Sequence, residues 1–173
     1  MTFAYTVELL DDRHDRTSFV CGIEALDRYL HQQAGQDAKR NAAVTYVLVP
    51  ADTPTIIAGF YTLSATSIRL DSLPPETAKK LARYPDIPAT LMGRLAVSQE
   101  HQGRGLGRHL LLDALRRSLE ASASIGSAAV IVDAKDAAAR AFYEHYGFIS
   151  FPDQPQRLFL PMKTIQVLFA SGQ

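Results

Sequence analysis

A glycine-rich segment has the residue types and spacing of a phosphate-binding loop: Gln102-Gly103-Arg104-Gly105-Leu106-Gly107. It follows an apolar predicted strand, Leu91–Val97, and precedes a predicted helix that starts near Arg108. Backbone N–H groups at a helix start have no intrahelical partner, and glycines let them approach an oxyanion closely. Arg104 and Arg108 add positive charge, which suits a pyrophosphate. The pattern therefore predicts a phosphate-binding loop, with a plain glycine-rich turn as the alternative.

Two familiar nucleotide-binding loops do not fit this segment. A P-loop ends in Gly-Lys-Ser/Thr, whereas Arg108 and His109 follow Gly107. A dinucleotide-binding fingerprint needs a third glycine three residues after Gly105, and Arg108 stands there instead. The residue pattern alone thus indicates a phosphate ligand without identifying it.

The glycine-rich segment resembles the Q/R-x-x-G-x-G/A motif of the GCN5-related N-acetyltransferase (GNAT) superfamily. In that family the loop binds the pyrophosphate of the co-substrate acetyl-CoA. The preceding strand, here Leu95-Ala96-Val97, splays from its neighbour and pairs with the pantetheine arm. The family's second motif, Asn-x-x-Ala-x-x-Phe-Tyr-x-x-x-Gly-Phe, matches residues 136–148, with Asp136 in place of Asn. The resemblance implies an acetyl-CoA site formed by Leu95–Val97, residues 102–108 and Asp136. Separately, the sequence holds no Cys/His cluster with metal-ligand spacing, so no metal is expected.

A closer resemblance covers nearly the whole chain. The acetyltransferase toxins of bacterial toxin–antitoxin pairs have similar motifs, and in that family the α-amino group of aminoacyl-tRNA is acetylated, which blocks translation. The resemblance implies a ribbon-helix-helix antitoxin as a partner and a homodimer. The motifs that carry it are Leu26-Asp27-x-Tyr29-Leu30, Gly59-Phe60-Tyr61-Thr62-Leu63-Ser64, Arg83-Tyr84-Pro85, Gly93-Arg94-Leu95-Ala96-Val97 and Val132-Asp133-Ala134.

Tyr143 is the predicted general acid, because the family has a tyrosine in that role at the matching position. Acetyl transfer to an amine releases a thiolate, which needs a proton. A tyrosine has a reference pKa of about 10 against about 8.5 for a thiol, so it holds its proton at neutral pH. The resemblance also implies that the backbone N–H of Leu95 or Val97 binds the thioester oxygen. Core packing beside Phe142 is the alternative role for Tyr143.

No side chain stands out as a general base. An α-amino group has a pKa of about 7.7–8.0 and does not require a dedicated base. A lysine amine, with a pKa of about 10.4, would require a base. The lack of an evident base therefore favours an α-amino acceptor. Alternatively, Glu100 or a water molecule could act as the base. Two other functions stay open: acetylation of a small amine or a protein amino group, and a catalytically silent module that binds acetyl-CoA.

Positive residues gather in and beside a proline-rich connector at residues 67–90. Lys79, Lys80, Arg83 and Arg94 are candidate contacts for tRNA phosphates, and an ordinary solvated face is the alternative. The formal net charge of the chain is zero. Residues 59–117, however, carry nine Lys or Arg against five Asp or Glu. Neutrality is therefore a cancellation between segments, and it does not argue against an RNA partner.

These residues need elements that bring a strand end and a helix start together. The order of predicted elements is typical of a mixed α/β sheet with helices on both faces. The resemblance makes this sheet mostly antiparallel with a splayed pair of parallel strands, in a single N-acetyltransferase domain over residues 1–173. The predicted strands are Tyr5–Leu10, Val44–Val49, Ile56–Ser64, Leu91–Val97, Ala128–Val132, Phe148–Phe151 and Gln156–Met162. The predicted helices are Gly22–Arg40, a short piece at Glu76–Leu81, Arg108–Ala123 and Ala137–His145.

Length and composition narrow the class of protein. The 173 residues, 47% of them apolar, suit one domain with a substantial core. A single cysteine, Cys21, excludes a disulfide framework and is expected to be buried and inert. No secretory leader pattern or membrane-length apolar run is present, so we expect a cytoplasmic protein. The apolar residues Ile165, Val167, Leu168 and Phe169 of Lys163–Gln173 are compatible with an edge strand or with an interface, and the sequence does not decide between them.

Overall fold

The computed structural model describes residues 4–170. None of the helices in this part of the chain is both long enough and apolar enough to cross a membrane. The strands are β1 (Tyr5–Leu9), β2 (Val44–Pro50), β3 (Gly59–Arg69), β4 (Asp86–Val97), β5 (Ala129–Asp133), β6 (Ile149–Phe151) and β7 (Gln154–Pro161). The α-helices are α1 (Glu24–Arg28), α2 (Ala34–Lys39), α3 (Pro75–Ala78), α4 (Leu106–Ser122), α5 (Ala137–His145) and α6 (Met162–Ala170).

The strands form a seven-stranded mixed sheet in the order β1-β2-β3-β4-β5-β7-β6. Antiparallel pairing joins β1 to β2, β2 to β3, β5 to β7 and β6 to β7. The pair β4 and β5 is parallel, with a register that runs from Thr90↔Val130 to Met92↔Val132. Strand β4 continues to Val97, five residues beyond the paired segment. The predicted fold class, a mostly antiparallel sheet with one parallel pair, is confirmed.

The described chain forms two compact units, each with its own apolar core. One comprises residues 4–64 and 94–114, and the other comprises residues 65–93 and 115–170. The first core includes Phe19, Tyr29, Leu30, Val47, Phe60 and Ala96. The second includes Ile68, Ile87, Ile131, Phe151 and Phe159. Because β3 and β4 each contribute residues to both units, neither unit is a continuous stretch of chain.

The predicted helix at Gly22–Arg40 contains a π-helical turn that its apolar periodicity does not indicate. The turn spans Tyr29–Gln33, and the N–H of Ala34 donates to the carbonyl of Tyr29, five residues back. Helices α1 and α2 flank it on either side. The turn places Tyr29 and Leu30 in the core of the first unit. Such π-helical turns occur often at functional sites.

Strand β3 is displaced from its predicted position at Ile56–Ser64. It begins at Gly59 and runs to Arg69, because the small polar residues after Ser64 continue the strand instead of ending it. A Cβ at Gly59 would lie 2.9 Å from the carbonyl oxygen of Ala96 and 2.8 Å from Cδ1 of Leu110. The glycine therefore permits a close backbone approach between β3 and β4.

The edge strand, one of the two alternatives for Lys163–Gln173, was wrong. Residues 162–170 form helix α6, and the remainder of that segment, residues 171–173, lies outside the described residues. Apolar side chains at Met162, Ile165, Leu168 and Phe169 are three, three and one residues apart, which matches one face of a helix and not the alternation of a strand. Ile165 is buried, whereas Val167 is 70% exposed.

Candidate active site

The glycine-rich loop lies between β4 and α4, as predicted, and it is exposed from Gln102 to Gly105. Gly103 and Gly105 have φ values of 82° and 74°, in the left-handed region that L-residues rarely adopt. A Cβ at either position would meet no atom within 4 Å. The glycines are therefore required by backbone conformation, and the space beside them at the helix start is open.

The first turn of α4 offers backbone donors to this open space. The N–H of His109 donates to the carbonyl of Gly105 at 3.3 Å. The N–H groups of Leu106, Gly107 and Arg108 precede that bond and have no intrahelical acceptor. With the helix dipole of a 17-residue helix behind them, they form a site suited to an oxyanion.

Gln102 holds the loop in place through its side chain. Its Nε2 donates to the carbonyl of Val97 at 3.0 Å and to the carbonyl of Cys21 at 3.2 Å. These bonds tie the loop to the end of β4 and to a segment 81 residues earlier in the chain. The sequence pattern predicted a ligand contact for Gln102 and did not predict this anchoring role, since no local signal links it to Cys21.

The two arginines of the loop differ in their surroundings. Arg104 is exposed, and its guanidinium donates to the Tyr5 hydroxyl at 2.8 Å and to the carbonyl of Glu100 at 3.4 Å. It lines a cavity of about 450 Å³ together with Tyr5 and His101. Arg108 is exposed on the first turn of α4 and has no ion-pair partner within residues 4–170. Both cations flank the helix start, as the sequence predicts.

The strand residues Leu95, Ala96 and Val97 form the end of β4. Ala96 is buried in the core of the first unit, whereas Leu95 and Val97 are half-buried. Alternate residues thus face inward and outward, as a half-buried strand requires. The core contact of Ala96 holds this backbone in position next to the loop that follows it.

Tyr143 lies in α5 and is 7% exposed. Its ring packs against Phe142 and Phe148, with centroid distances of 5.3 and 5.4 Å. Burial raises its pKa to about 12. Its hydroxyl has no hydrogen-bond partner within residues 4–170. The ring of Tyr143 therefore packs in the core while its hydroxyl stays available for another contact. Tyr143 therefore stays protonated through the neutral range.

Asp136 is the N-cap of α5. Its Oδ1 accepts a hydrogen bond of 2.8 Å from the N–H of Ala139. This satisfies one of the unpaired donors at the helix start. Gly147, with a φ of 95°, follows the end of the helix. The two local signals fix the helix that carries Tyr143, and a cofactor contact of the exposed Asp136 carboxylate remains a prediction.

The four candidate RNA contacts do not share one environment. Lys79, Lys80 and Arg83 are exposed in the connector of the second unit. Arg94 belongs to the first unit and is half-buried, with its guanidinium carbon 3.5 Å from the centre of the Tyr29 ring. Burial and the Asp37 carboxylate raise the pKa of Tyr29 to about 12. Arg94 is therefore engaged in a packing contact that the sequence pattern did not indicate.

Within residues 4–170, no group of three or more His, Cys, Asp or Glu side chains is arranged to hold a metal ion. Cys21 is buried, as predicted, with its Sγ 3.7 Å from the carbonyl of Ile23.

Comparison with known proteins identifies relatives over nearly the full length. The acetyltransferase (GNAT) domain family matches residues 75–150. A probable toxin TacT from Sinorhizobium fredii is 34% identical over 170 residues, with 94% of this chain and 93% of that protein covered. A tRNA-acetylating toxin from Mycobacterium tuberculosis is 37% identical over 160 residues, with 92% and 93% covered.

Solved structures agree with this match. A mutant of KacT superposes with a TM-score of 0.90 at 33% identity, covering 96% of this chain and 100% of that one. The structure of AtaT complexed with acetyl-methionyl-tRNAfMet superposes with a TM-score of 0.87 at 32% identity, covering 95% of this chain and 99% of that one. A mutant AtaT toxin bound to the C-terminus of the antitoxin AtaR and acetyl-CoA superposes with a TM-score of 0.81 at 29% identity. The match covers 96% of this chain and 99% of that one. The chain therefore belongs to the GNAT acetyltransferase family, in the group that includes the tRNA-acetylating toxins.

Proposed function

We propose that this protein transfers the acetyl group of acetyl-CoA to the α-amino group of aminoacyl-tRNA and thereby inhibits translation. The observation that carries the proposal is the likeness to AtaT, a relative solved with acetyl-methionyl-tRNAfMet, over 95% of this chain. The loop and the start of α4 would bind the pyrophosphate of acetyl-CoA. Both proposed substrates are cytoplasmic, so we assign the reaction to that compartment.

The residues of the first unit fit acetyl-CoA. The helix-start N–H groups of Leu106, Gly107 and Arg108, with the charges of Arg104 and Arg108, suit its pyrophosphate. The open space at Gly103 and Gly105 admits the phosphate oxygens close to the backbone. The backbone of Leu95–Val97 would pair with the pantetheine arm. When bound, acetyl-CoA supplies an activated thioester.

In the proposed reaction, the amine nitrogen forms a bond to the thioester carbonyl carbon and the carbon–sulfur bond breaks. A backbone N–H of Leu95 or Val97 would stabilise the oxyanion. Tyr143 would offer its hydroxyl proton to the departing sulfur. The proton that the attacking nitrogen loses restores the tyrosine, so protons and charge balance over the cycle.

The acceptor would be an α-amino group. About a tenth of such groups are unprotonated at pH 7, because their ordinary pKa is about 7.7–8.0, and the ester bond to tRNA withdraws electrons and lowers this pKa further. An α-amino acceptor therefore needs no dedicated base. A lysine side chain, with a pKa of about 10.4, would have to lose a proton before it could attack the thioester.

We also propose two protein partners. Relatives include a mutant AtaT toxin solved with the C-terminus of its antitoxin AtaR. By analogy, a ribbon-helix-helix antitoxin would neutralise this protein, and the protein itself would be a homodimer. Sedimentation of the purified chain, alone and with the product of a neighbouring short reading frame, tests both partners.

The proposed reaction is tested with labelled acetyl-CoA and three acceptors: mixed aminoacyl-tRNA, small primary amines and a protein with free amino groups. We expect label in aminoacyl-tRNA, and a strong decrease with Tyr143→Phe. Label in a small amine or a protein, but never in aminoacyl-tRNA, would overturn the proposed acceptor. Tight acetyl-CoA binding with no transfer to any amine would identify a silent binding module.

A further inference from the structure

Tyr84 is an exposed aromatic side chain in the connector of the second unit. It is 66% exposed, and it is the one aromatic among the strongly exposed large apolar side chains of the described residues. Burial of an aromatic ring normally contributes to stability, so a ring left in water forgoes that contribution. Its position therefore suits a contact with a ligand more than a contribution to the core.

The backbone that carries Tyr84 is anchored. The N–H of Leu70 donates to the carbonyl of Pro85 at 2.9 Å, and strand β4 begins at Asp86. Pro85 also restricts the backbone conformation of the residue before it. The ring thus extends into solvent from a fixed point, and little backbone order has to be gained when it binds.

Within residues 79–86, three exposed cations precede Tyr84, and one exposed carboxylate, that of Asp86, follows it. Lys79, Lys80 and Arg83 are all exposed, and none has an ion-pair partner within residues 4–170. By contrast, the nearby Arg69 is held by Asp71, with Nη2 and Oδ2 3.1 Å apart. An acidic ligand would therefore find three available cations here, without first displacing a carboxylate.

An exposed aromatic face beside unpaired cations is the combination that binds single-stranded nucleic acid, because bases stack on the ring and phosphates contact the cations. We propose that Tyr84 stacks on an unpaired base at the single-stranded 3′ end of the tRNA acceptor, while Lys79, Lys80 and Arg83 contact adjacent phosphates. This inference rests on the proposed function, which makes tRNA the acceptor.

A second copy of this chain is a less suitable occupant. A two-fold contact centred on Tyr84 would bring two sets of the same three cations together. Like charges brought together in this way oppose association. Charge complementarity therefore favours RNA over a self-contact at this surface.

The test measures tRNA binding by the full chain without acetyl-CoA, from the fluorescence anisotropy of a labelled tRNA. Tyr84→Ala and Tyr84→Leu are expected to raise the Kd about tenfold, whereas Tyr84→Phe keeps the ring and should bind as the parent does. Leu retains apolar area without a π face, so it separates stacking from simple hydrophobic contact. The melting temperature of each variant checks the fold.

Two further measurements identify the contact. The slope of log K against log salt should be unchanged in Tyr84→Ala and should decrease in the double variant Lys79→Gln, Lys80→Gln, because only the latter removes phosphate contacts. A tRNA trimmed of its single-stranded 3′ end should bind the parent and Tyr84→Ala equally.

Equal Kd values for the parent and Tyr84→Ala, in a parent that acetylates aminoacyl-tRNA, would overturn the inference and leave the proposed function intact. A change in oligomeric state in Tyr84→Ala, measured by sedimentation, would overturn it in favour of a self-contact. A parent that neither binds nor acetylates aminoacyl-tRNA would overturn the proposed function and this inference together.

Discussion

The guanidinium of Arg94 stacks on the ring of Tyr29, with 3.5 Å between the guanidinium carbon and the ring centre. The Tyr29 hydroxyl donates a hydrogen bond of 2.7 Å to Oδ2 of Asp37. Arg94 directly precedes Leu95–Val97, the proposed pantetheine strand. The π-helical turn that carries Tyr29 thus holds a cation directly before the segment Leu95–Val97 of β4.

This stack is expected to contribute measurably to stability. Tyr29→Phe should lower the free energy of unfolding by about 1 kcal/mol, because it loses the bond to Asp37 and keeps the ring. Tyr29→Leu should cost about 1 kcal/mol or more beyond that, because it also loses the cation–π contact with Arg94 and the stacking of the ring on Phe60. Urea denaturation measures both. In a double-mutant cycle of Tyr29→Leu and Arg94→Met, strictly additive effects would contradict the coupling.

Gln102→Met is expected to raise the KM for acetyl-CoA severalfold. Methionine matches glutamine in length but cannot donate to the carbonyls of Val97 and Cys21, so the loop loses both anchors. Steady-state kinetics measures the change. The exposed Gln166 of α6 gives a matched control, since Gln166→Met should leave the KM unaltered. An unchanged KM in Gln102→Met would show that the loop keeps its geometry without these bonds.

Gly105→Ala should weaken acetyl-CoA binding and destabilise the protein by about 1 kcal/mol. The cause is the φ of 74°, which costs an L-residue energy, and not a clash, because the space around Gly105 is open. Calorimetric titration and urea denaturation report the two effects. Gly126→Ala is the control, because that glycine also has open space and has no positive φ. Equal behaviour of the two variants would argue against a conformational role for Gly105.

Stability should decline in strong alkali because two tyrosines have raised pKa values. Tyr29 and Tyr143 both titrate near 12 in the folded protein, against an ordinary value of 10. Their contribution is complete below about pH 10 and is lost as the pH rises towards 12, because the unfolded chain releases these protons more readily. Unfolding curves between these pH values should show a shallower decline in Tyr143→Phe. Identical slopes in parent and variant would contradict the raised pKa of Tyr143.

Local signals predicted the helix that carries Tyr143 with its exact bounds. Gly147 marks its end in the sequence, and the structure shows that Asp136 caps its start. Both act over a few residues of chain. The loop from Gln102 to Gly107 was likewise predicted from residue types alone. The bounds of strand β3 were not, because the strand continues through Ala65, Thr66 and Ser67, a run that holds no large apolar residue to indicate it.

Contacts between distant parts of the chain were beyond prediction from the sequence. The bond from Gln102 to the carbonyl of Cys21 spans 81 residues, and the stack of Arg94 on Tyr29 joins two separate elements. Neither contact leaves a periodic pattern in the sequence. Helix α6 did leave one, because the spacing of Met162, Ile165 and Phe169 is that of one helical face.

The most direct test of the central claim is mass spectrometry of the aminoacyl-adenosine released from tRNA after incubation with the protein and acetyl-CoA. We predict a mass increase of one acetyl group, located on the α-amino nitrogen and greatly reduced with Tyr143→Phe. The proposed function would be contradicted if the aminoacyl-adenosine kept its mass although the same protein sample bound acetyl-CoA and acetylated another amine.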